Sequence, residues 1–450
     1  MPKHFFVVAL CALGLACSPL AADARKPNIL LIYADDLGYG ELGCYGGKHV
    51  PTPNIDALAA GGIRLTQGYV SAPLCSPSRA GLMTGRYQQR FGHENNSMTS
   101  ENGLPLNQTT IAQRMKKLGY ATCMVGKWHL GSSSEHLPMA RGFDEYLGVL
   151  GNPGSYFEPH GYIDSRISDQ PQKDFPENFY TTEVFADRAS QWISEHREQP
   201  WFLYLPFNAI HGPHDVTEKY LQRFATVEDK RHRQLFALLS AMDDAVGKVM
   251  QTLRSSGQEE NTLVWFISDN GAPPHPDGNV PLRGNKYQCW EGGIRVPFIV
   301  QWKGTLASGT TYTQPAINLD VLPTCIAAAG GTIEPDWQLD GVNLLPYLKG
   351  ENTARPHRTL YWRIDNRWAV RHDDWKLVVG IPTVEKPELF NLAKDVSEAH
   401  DVADKHPDEV AELTSLWDAW NAELADPPTK IKSDKKKAKR NAERAKNRKE

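Results

Sequence analysis

Acidic and amide side chains directly follow two short apolar runs of this 450-residue chain. Asp35 and Asp36 come after the first run, and Asp269 and Asn270 come after a later one. If both runs are parallel strands, their carboxyl ends meet at the sheet edge where ligands bind. Oxygen ligands with three negative charges suit a hard cation, calcium or as second choice magnesium, rather than zinc. Taken singly, Asp and Asn close to glycine are also typical of ordinary turns.

The most specific segment is residues 75–79, which read Cys-Ser-Pro-Ser-Arg and are followed by Thr-Gly-Arg at 84–86. This pattern resembles the signature of type I sulfatases, in which the cysteine is oxidised after translation to Cα-formylglycine. The resemblance implies that a formylglycine-generating enzyme modifies Cys75 during maturation. The alternative for Cys75 is a buried structural thiol, which is common among cysteines.

Other segments resemble the same family in the same order along the chain. They are the Lys-x-His element at 126–131, the histidine segment at 207–211, and Lys286 with the segment 291–297. The resemblance implies that calcium is held by Asp35, Asp36, residue 75, Asp269 and Asn270. It also implies the catalytic roles: Arg79 and Lys127 contact the formylglycine, Lys286 contacts the sulfate, His129 deprotonates a hydroxyl, and His211 protonates the leaving oxygen with help from Lys286.

Hydrolysis of a sulfate ester needs two kinds of help. The anionic sulfuryl group must be held in place, and the leaving alkoxide must be protonated. A free thiol does neither, whereas a hydrated formylglycine carries two hydroxyl groups, one of which can attack sulfur. By resemblance, the second hydroxyl then loses its proton and expels sulfate. The sequence therefore predicts a sulfatase.

The substrate is predicted from the expected export of the enzyme and from residues in its loops. Export indicates a sulfated saccharide as the substrate, and we expect no nucleic-acid partner. The candidate substrate contacts are His93, His214, Arg283 and Trp290, of which Trp290 could stack on a sugar and His214 could replace His211 as the acid. Two alternatives remain open: a phosphonate or phosphodiester hydrolase of the same superfold, and an exported glycan-binding protein that has lost catalysis.

The elements that must position these residues alternate along the chain. Buried strands are predicted at four apolar runs, 28–34, 201–207, 263–267 and 297–302. Helices are predicted by their periodicity at 108–118, 181–195 and 233–253. The alternation indicates an α/β fold with a mainly parallel sheet. The family resemblance implies an alkaline-phosphatase-like core, followed by a small subdomain with an antiparallel sheet (359–362, 368–371, 375–379) and a helix (408–424).

The two ends of the chain differ from the rest in composition. Residues 1–24 form a predicted signal peptide, since their apolar run is too short to span a membrane. Export to the periplasm or the extracellular space follows, with lipoprotein anchoring through Cys17 as the less favoured route. Residues 25–350 are the predicted catalytic domain, 351–427 the C-terminal subdomain, and 428–450 a disordered tail. Residues 430–450 of that tail carry 11 Lys and Arg against 3 Asp and Glu.

Overall fold

The first apolar run forms a central strand, β1, whose seven residues are all buried. The structure is a computed structural model. It describes residues 1, 25–96, 103–275, 277–380 and 386–426. The predicted signal peptide, except Met1, and the predicted basic tail lie outside the described residues.

The strands and helices of the described residues follow one another along the whole chain. The strands are β1 (Asn28–Ala34), β2 (Ile63–Leu65), β3 (Gly68–Tyr69), β4 (Ala121–Lys127), β5 (Glu145–Val149), β6 (Tyr162–Asp164), β7 (Trp201–Pro206), β8 (Thr262–Ser268), β9 (Phe298–Gln301), β10 (Thr310–Tyr312), β11 (Ala316–Ile317), β12 (Thr359–Ile364), β13 (Arg367–His372), β14 (Trp375–Val379) and β15 (Glu388–Asn391). The α-helices are α1 (Pro53–Ala60), α2 (Cys75–Thr84), α3 (Ile111–Lys117), α4 (Thr181–Glu195), α5 (Glu218–Leu221), α6 (Lys230–Ser255), α7 (Glu291–Ile294), α8 (Val321–Ala328), α9 (Leu345–Leu348) and α10 (Pro407–Ala422).

Nine strands form one sheet in the order β10-β2-β9-β8-β1-β7-β4-β5-β6. Its five central neighbours, β8, β1, β7, β4 and β5, are parallel. The outer strands β9 and β6 run antiparallel to their inner neighbours. The prediction of a mainly parallel α/β sheet is therefore confirmed. Because parallel strands end at the same edge, the residues that follow β1, β4, β7 and β8 are brought close together.

Helices cover both faces of this sheet. Leu30 and Ile32 of β1 pack into a core shared with α4 and α6, whereas Ile29 and Leu31 pack into one shared with α2, α3 and α8. Successive side chains of a strand point to opposite faces, so a strand buried on both sides reads as a continuous apolar run. Each large aliphatic side chain buried in this way contributes about 1.5–3 kcal/mol.

The C-terminal part forms a separate four-stranded sheet in the order β12-β13-β14-β15, with all its pairs antiparallel. Helix α10 packs on it, and Trp417 of the helix stacks on Trp368 with ring centroids 4.3 Å apart. The predicted antiparallel sheet and helix are confirmed, and β15 is an additional strand. Tyr69 and Leu319 of the larger part belong to the same apolar core, so the boundary placed at residue 350 stays a prediction.

None of the helices in the described part of the chain has both the length and the apolar character needed to cross a membrane.

Candidate active site

The predicted acidic residues meet at the carboxyl edge of the central sheet. Ala34 of β1 pairs in register with Ser268 of β8, so the residues after the two strands are neighbours. The backbone N–H of Asp36 donates to Asp269 Oδ1 at 3.1 Å. Asn270 Nδ2 donates to Asp36 Oδ1 at 2.7 Å. All four side chains named in the predicted metal set besides residue 75 are buried: Asp35, Asp36, Asp269 and Asn270.

Cys75 is the first residue of α2 and faces this acidic group. Its Sγ lies 3.5 Å from Asp35 Oδ1 and 3.9 Å from Asp36 Oδ1. The side chain is fully buried, and burial raises the pKa of the Cys75 thiol well above its ordinary value. The unmodified thiol is therefore held in its protonated form, although it occupies the centre of the site.

Arg79 lies one helical turn after Cys75 and points to the same site. Its Nε and Nη2 donate to Asp269 Oδ2 at 3.0 and 2.8 Å, and its Nη1 donates to the carbonyl of Lys127 at 2.9 Å. The guanidinium thus fixes the loop after β8 and the end of β4 at once. Its side chain has no exposure to solvent, so water does not compete for the hydrogen bonds of the planar guanidinium.

Two lysines bring positive charge to the two adjacent carboxylates. Lys127, the last residue of β4, forms a buried ion pair with Asp35. Lys286 Nζ lies 2.6 Å from Asp36 Oδ1 and 2.8 Å from its Oδ2. Burial alone would raise the pKa of Asp35, but the charges of Lys127 and its neighbours hold that pKa well below the ordinary value. Asp35 is therefore ionised in this site.

The two predicted catalytic histidines lie at the same edge. His129 has a positive φ of 60°, a conformation that is uncommon for residues other than glycine. Its carbonyl accepts a hydrogen bond from Ser76 Oγ at 2.8 Å. Its Nδ1 is buried and has no hydrogen-bond partner among the described residues. His211 follows β7, and its Nε2 lies 3.7 Å from Asp36 Oδ2.

The environment favours the neutral form of both imidazoles. Burial lowers the pKa of His129 well below its ordinary value, and Lys127 lowers it further. Burial also lowers the pKa of His211, although Asp35 opposes that shift. A neutral histidine can accept a proton, and a histidine that first takes up a proton can donate one to a leaving group.

The same residues offer a set of donors for a metal ion. Ligand atoms of Asp35, Asp36, Cys75 and His211 lie within 4.8 Å of one another. Asn270 Oδ1 is buried and has no hydrogen-bond partner in the described part of the chain. A buried, unpaired carbonyl oxygen beside carboxylates fits a hard cation, because such ions bind oxygen ligands. Asp269 has fewer free oxygen lone pairs for a metal ion, because its Oδ2 accepts a hydrogen bond from Arg79.

Two predicted substrate contacts are buried in this structure. His93 is fully buried, with Nε2 2.6 Å from Ser76 Oγ and Nδ1 3.2 Å from the carbonyl of Gly103. Trp290 is 1% exposed and packs edge-on against Phe390 of β15. His93 thus contacts the start of α2, Trp290 belongs to the C-terminal core, and a sugar contact by either ring stays a prediction.

The other two predicted substrate contacts occupy different surroundings. Arg283 stacks on Trp290 at 3.7 Å and donates to the carbonyl of Glu398 at 3.0 Å. It therefore links the loop after β8 to the C-terminal sheet, and its side chain is 38% exposed, so a sugar contact by Arg283 stays a prediction. His214 is partly exposed and lines a cavity beside Asp36.

A buried ionic cluster that supports the site was missed by sequence reasoning. Lys376 Nζ of β14 lies 2.8 Å from both Glu291 Oε1 and Glu398 Oε1. All three side chains are fully buried. The backbone N–H of Glu291 donates to Glu398 Oε2 at 2.7 Å. Charged residues so far apart in the chain give no local pattern, and only the predicted lysine segment around Glu291 hinted at a role.

This cluster fixes helix α7, which is connected to the loops of two active-site residues. Glu291 opens α7, five residues after Lys286. In the same helix, the carbonyl of Gly293 accepts a hydrogen bond from the backbone of Gly271 at 3.1 Å, next to Asn270. The C-terminal sheet thus holds the loops of both Lys286 and Asn270 through Glu291.

Comparisons with known proteins identify the family of the chain. Residues 27–331 match the Sulfatase family, and residues 285–419 match the family described as N-sulphoglucosamine sulphohydrolase, C-terminal. Arylsulfatase J of Mus musculus is 34% identical over 80% of this chain and 65% of that protein's length. N-acetylgalactosamine-6-sulfatase of Homo sapiens is 31% identical over 83% of this chain and 81% of its own.

A solved structure is similar over most of the fold. The crystal structure of Ps i-CgsB in complex with k-i-k-neocarrahexaose has a TM-score of 0.83 and 32% sequence identity, and the match covers 90% of this chain and 94% of that one. The family match extends from the first strand through the Cys75 helix to the end of α8. The chain therefore belongs to the sulfatase family, and its matched relatives are named as sulfatases.

Proposed function

We propose that this protein hydrolyses sulfate esters on a glycan, with residue 75 as its nucleophile after conversion to formylglycine. The observation that carries the proposal is the position of residue 75, whose Sγ lies within 3.9 Å of two carboxylates. Around it stand Arg79, Lys127 and Lys286, each in contact with one of the acidic residues. Such a concentration of cations around one buried residue suits an anionic substrate and a charged transition state.

The proposed metal is calcium, held by the oxygen atoms of Asp35, Asp36, Asp269 and Asn270 and by residue 75. When bound, the ion supplies positive charge that orients the sulfate and lowers the pKa of a nearby hydroxyl group. Asn270 Oδ1 supports this assignment, because it is buried and unpaired among the described residues. Formylglycine supplies a hydroxyl nucleophile in place of a thiol that burial keeps protonated.

The remaining roles are proposed for the charged and histidine side chains around residue 75. Arg79 and Lys127, which pair with the carboxylates beside it, are proposed to contact the formylglycine, and Lys286 is proposed to bind a sulfate oxygen. His129 is proposed to take the proton of the hydroxyl group, through the Nδ1 that has no partner among the described residues. His211, whose Nε2 lies 3.7 Å from Asp36 Oδ2, is proposed to protonate the leaving oxygen with help from Lys286.

The proposed substrate is a sulfated saccharide. N-acetylgalactosamine-6-sulfatase is named for a sulfated sugar, and the structure of Ps i-CgsB contains k-i-k-neocarrahexaose. The proposed maturation partner is a formylglycine-generating enzyme. The proposed location is the periplasm or the extracellular space, with lipoprotein anchoring through Cys17 as the second choice.

The test compares rates on matched esters. Purified enzyme is given 4-nitrophenyl sulfate, the matching phosphate monoester and diester, and a panel of sulfated mono- and oligosaccharides. We expect turnover of sulfate esters, with the highest kcat/KM on a saccharide and none in Cys75→Ser. A preference for the phosphodiester would favour the hydrolase alternative. Binding of saccharides without any turnover by fully processed enzyme would favour the glycan-binding alternative.

A further inference from the structure

A small cavity beside Asp36 lies between the candidate active site and the start of α6. It is lined, among others, by Asp36, Ile210, His214, Arg231, His232 and His275. Asp36 also contacts Lys286 and His211, and Arg231 is exposed to solvent. A substrate whose sulfate reaches residue 75 would therefore have a neighbouring group near the mouth of this cavity.

Two basic side chains of this cavity lack an acidic partner among the described residues. Arg231 has no ion pair or side-chain hydrogen bond with any residue that the structure describes, and the same holds for His214. Burial lowers the pKa of His214, and the nearby charge of Arg231 lowers it further. By contrast, His275 Nε2 lies 3.2 Å from Glu41 Oε1, and His232 Nδ1 lies 3.6 Å from Asp229 Oδ1. The uncompensated charge is thus concentrated at Arg231.

The backbone that carries Arg231 is well fixed. Arg231 is the second residue of α6, a helix of 26 residues. The carboxylate of Asp229 caps this helix, accepting from the backbone N–H of His232 at 2.7 Å. The His232 ring stacks on Phe236 one turn later, with an interplanar angle of 11°. A capped helix start holds its residues in one geometry, so Arg231 is presented to the cavity from a rigid base.

We propose that Arg231, together with His214, forms a second anion-binding subsite that recognises an anionic group next to the ester being hydrolysed. The proposal rests on the proposed function, because it places the scissile ester at residue 75. A guanidinium offers paired donors that match the oxygens of a sulfate or a carboxylate. The substrate class is therefore a glycan with a second sulfate or a carboxylate on the adjoining sugar, rather than one with an isolated sulfate.

The experiment uses three saccharides that share one sulfated sugar and differ in the adjoining sugar, which is neutral, sulfated or carboxylated. Steady-state kinetics are measured for the wild type, for Arg231→Ala and for the matched control Lys230→Ala, whose charge is adjacent but outside the lining. We expect the wild type to prefer an anionic neighbour through a lower KM. Arg231→Ala should raise that KM about fivefold and leave the neutral substrate unchanged, and Lys230→Ala should keep the preference.

The adjoining sugar that gives the lowest KM shows whether the subsite prefers a sulfate or a carboxylate. Equal rates of the wild type on all three saccharides would overturn the subsite while leaving the sulfatase intact. So would an equal loss on all three in Arg231→Ala, or the same loss in Lys230→Ala.

A binding measurement keeps the subsite testable if no saccharide is turned over. In that case, sucrose octasulfate and inorganic sulfate are titrated into Cys75→Ser with and without Arg231→Ala. Weaker binding of the octasulfate alone supports the subsite, and unchanged binding of both overturns it.

Discussion

Lys376 Nζ lies 2.8 Å from Glu291 Oε1, and this buried pair joins the C-terminal sheet to the helix behind Lys286. Glu398 contacts both residues of the pair, the ammonium group of Lys376 and the backbone N–H of Glu291. The C-terminal sheet therefore helps to hold the active-site loops in place. Removing the ammonium group would leave two carboxylates buried without their shared partner.

The variant Lys376→Met tests this link. We expect a loss of about 3–5 kcal/mol in the free energy of unfolding, because breaking a buried ion cluster leaves uncompensated charge. The folded fraction should also show a lower kcat, since the loop of Lys286 loses its anchor. Urea unfolding and kinetics measure both effects. The control Arg358→Met removes an exposed partner of Asp373 and should change little. Equal effects of the two variants would contradict a special role for Lys376.

A buried His357–Asp320 pair predicts a pH-dependent contribution to stability. His357 Nε2 lies 2.7 Å from Asp320 Oδ1. Burial alone would lower the pKa of His357, but Asp320 raises it above the ordinary value. A raised pKa in the folded state means that the stabilisation is complete below the unfolded pKa of about 6.5 and is lost as the pH rises through the folded value.

His357→Gln should lower the free energy of unfolding by about 1.5–3 kcal/mol at pH 6, the range for a hydrogen bond to a charged group. At pH 9 the loss should be clearly smaller. Urea unfolding of the wild type and the variant at both pH values gives the difference, and the control variant His400→Gln alters an exposed ring. A cost for His357→Gln that grows with pH would show that the ring is neutral in the folded protein.

His93 is expected to act on catalysis without touching the substrate. Its Nε2 contacts Ser76 Oγ, which donates to the carbonyl of His129. His93→Phe should lower kcat about tenfold, the effect of losing one buried hydrogen bond that positions the site, while KM stays close to that of the wild type. His93→Gln should restore part of the rate. A variant that raises KM alone would point to a direct sugar contact.

Asn270 is expected to contribute to metal binding. Asn270→Ala removes the buried oxygen that lacks a partner among the described residues and should weaken calcium binding at least about tenfold. Calorimetric titration of metal-free protein with calcium measures this directly, and magnesium serves as the comparison ion. Asn343→Ala, a change at a helix start far along the chain, is the control. Unchanged calcium affinity in Asn270→Ala would rule out the amide as a ligand.

Local sequence patterns were sufficient to predict the main strands and helices and the residues at the centre of the site. The run 28–34 is buried on both faces, so the sequence shows both its apolar character and the two aspartates that follow it. The direction of β9 could not be predicted from the sequence, because a short buried strand of four residues has the same pattern in parallel and antiparallel pairing. Strand β15 is equally short, and its alternation is too brief to stand out.

Burial of individual loop residues could not be predicted from the sequence. His93 and Trp290 follow catalytic segments and have side chains suited to sugars, yet the fold turns both inward. The cluster of Glu291, Lys376 and Glu398 depends on contacts between residues about a hundred positions apart. Such contacts arise from the packing of two sheets, and periodicity and spacing describe only neighbours in the chain.

The mass of the tryptic peptide Leu65–Arg79 from active enzyme tests the conversion of Cys75 to formylglycine. We expect a peptide about 18 Da lighter than its cysteine form, because a thiol becomes an aldehyde. The same preparation should hydrolyse a sulfate ester at a rate proportional to the converted fraction. Full activity in a preparation whose residue 75 is entirely an unmodified thiol would show that formylglycine is not the nucleophile.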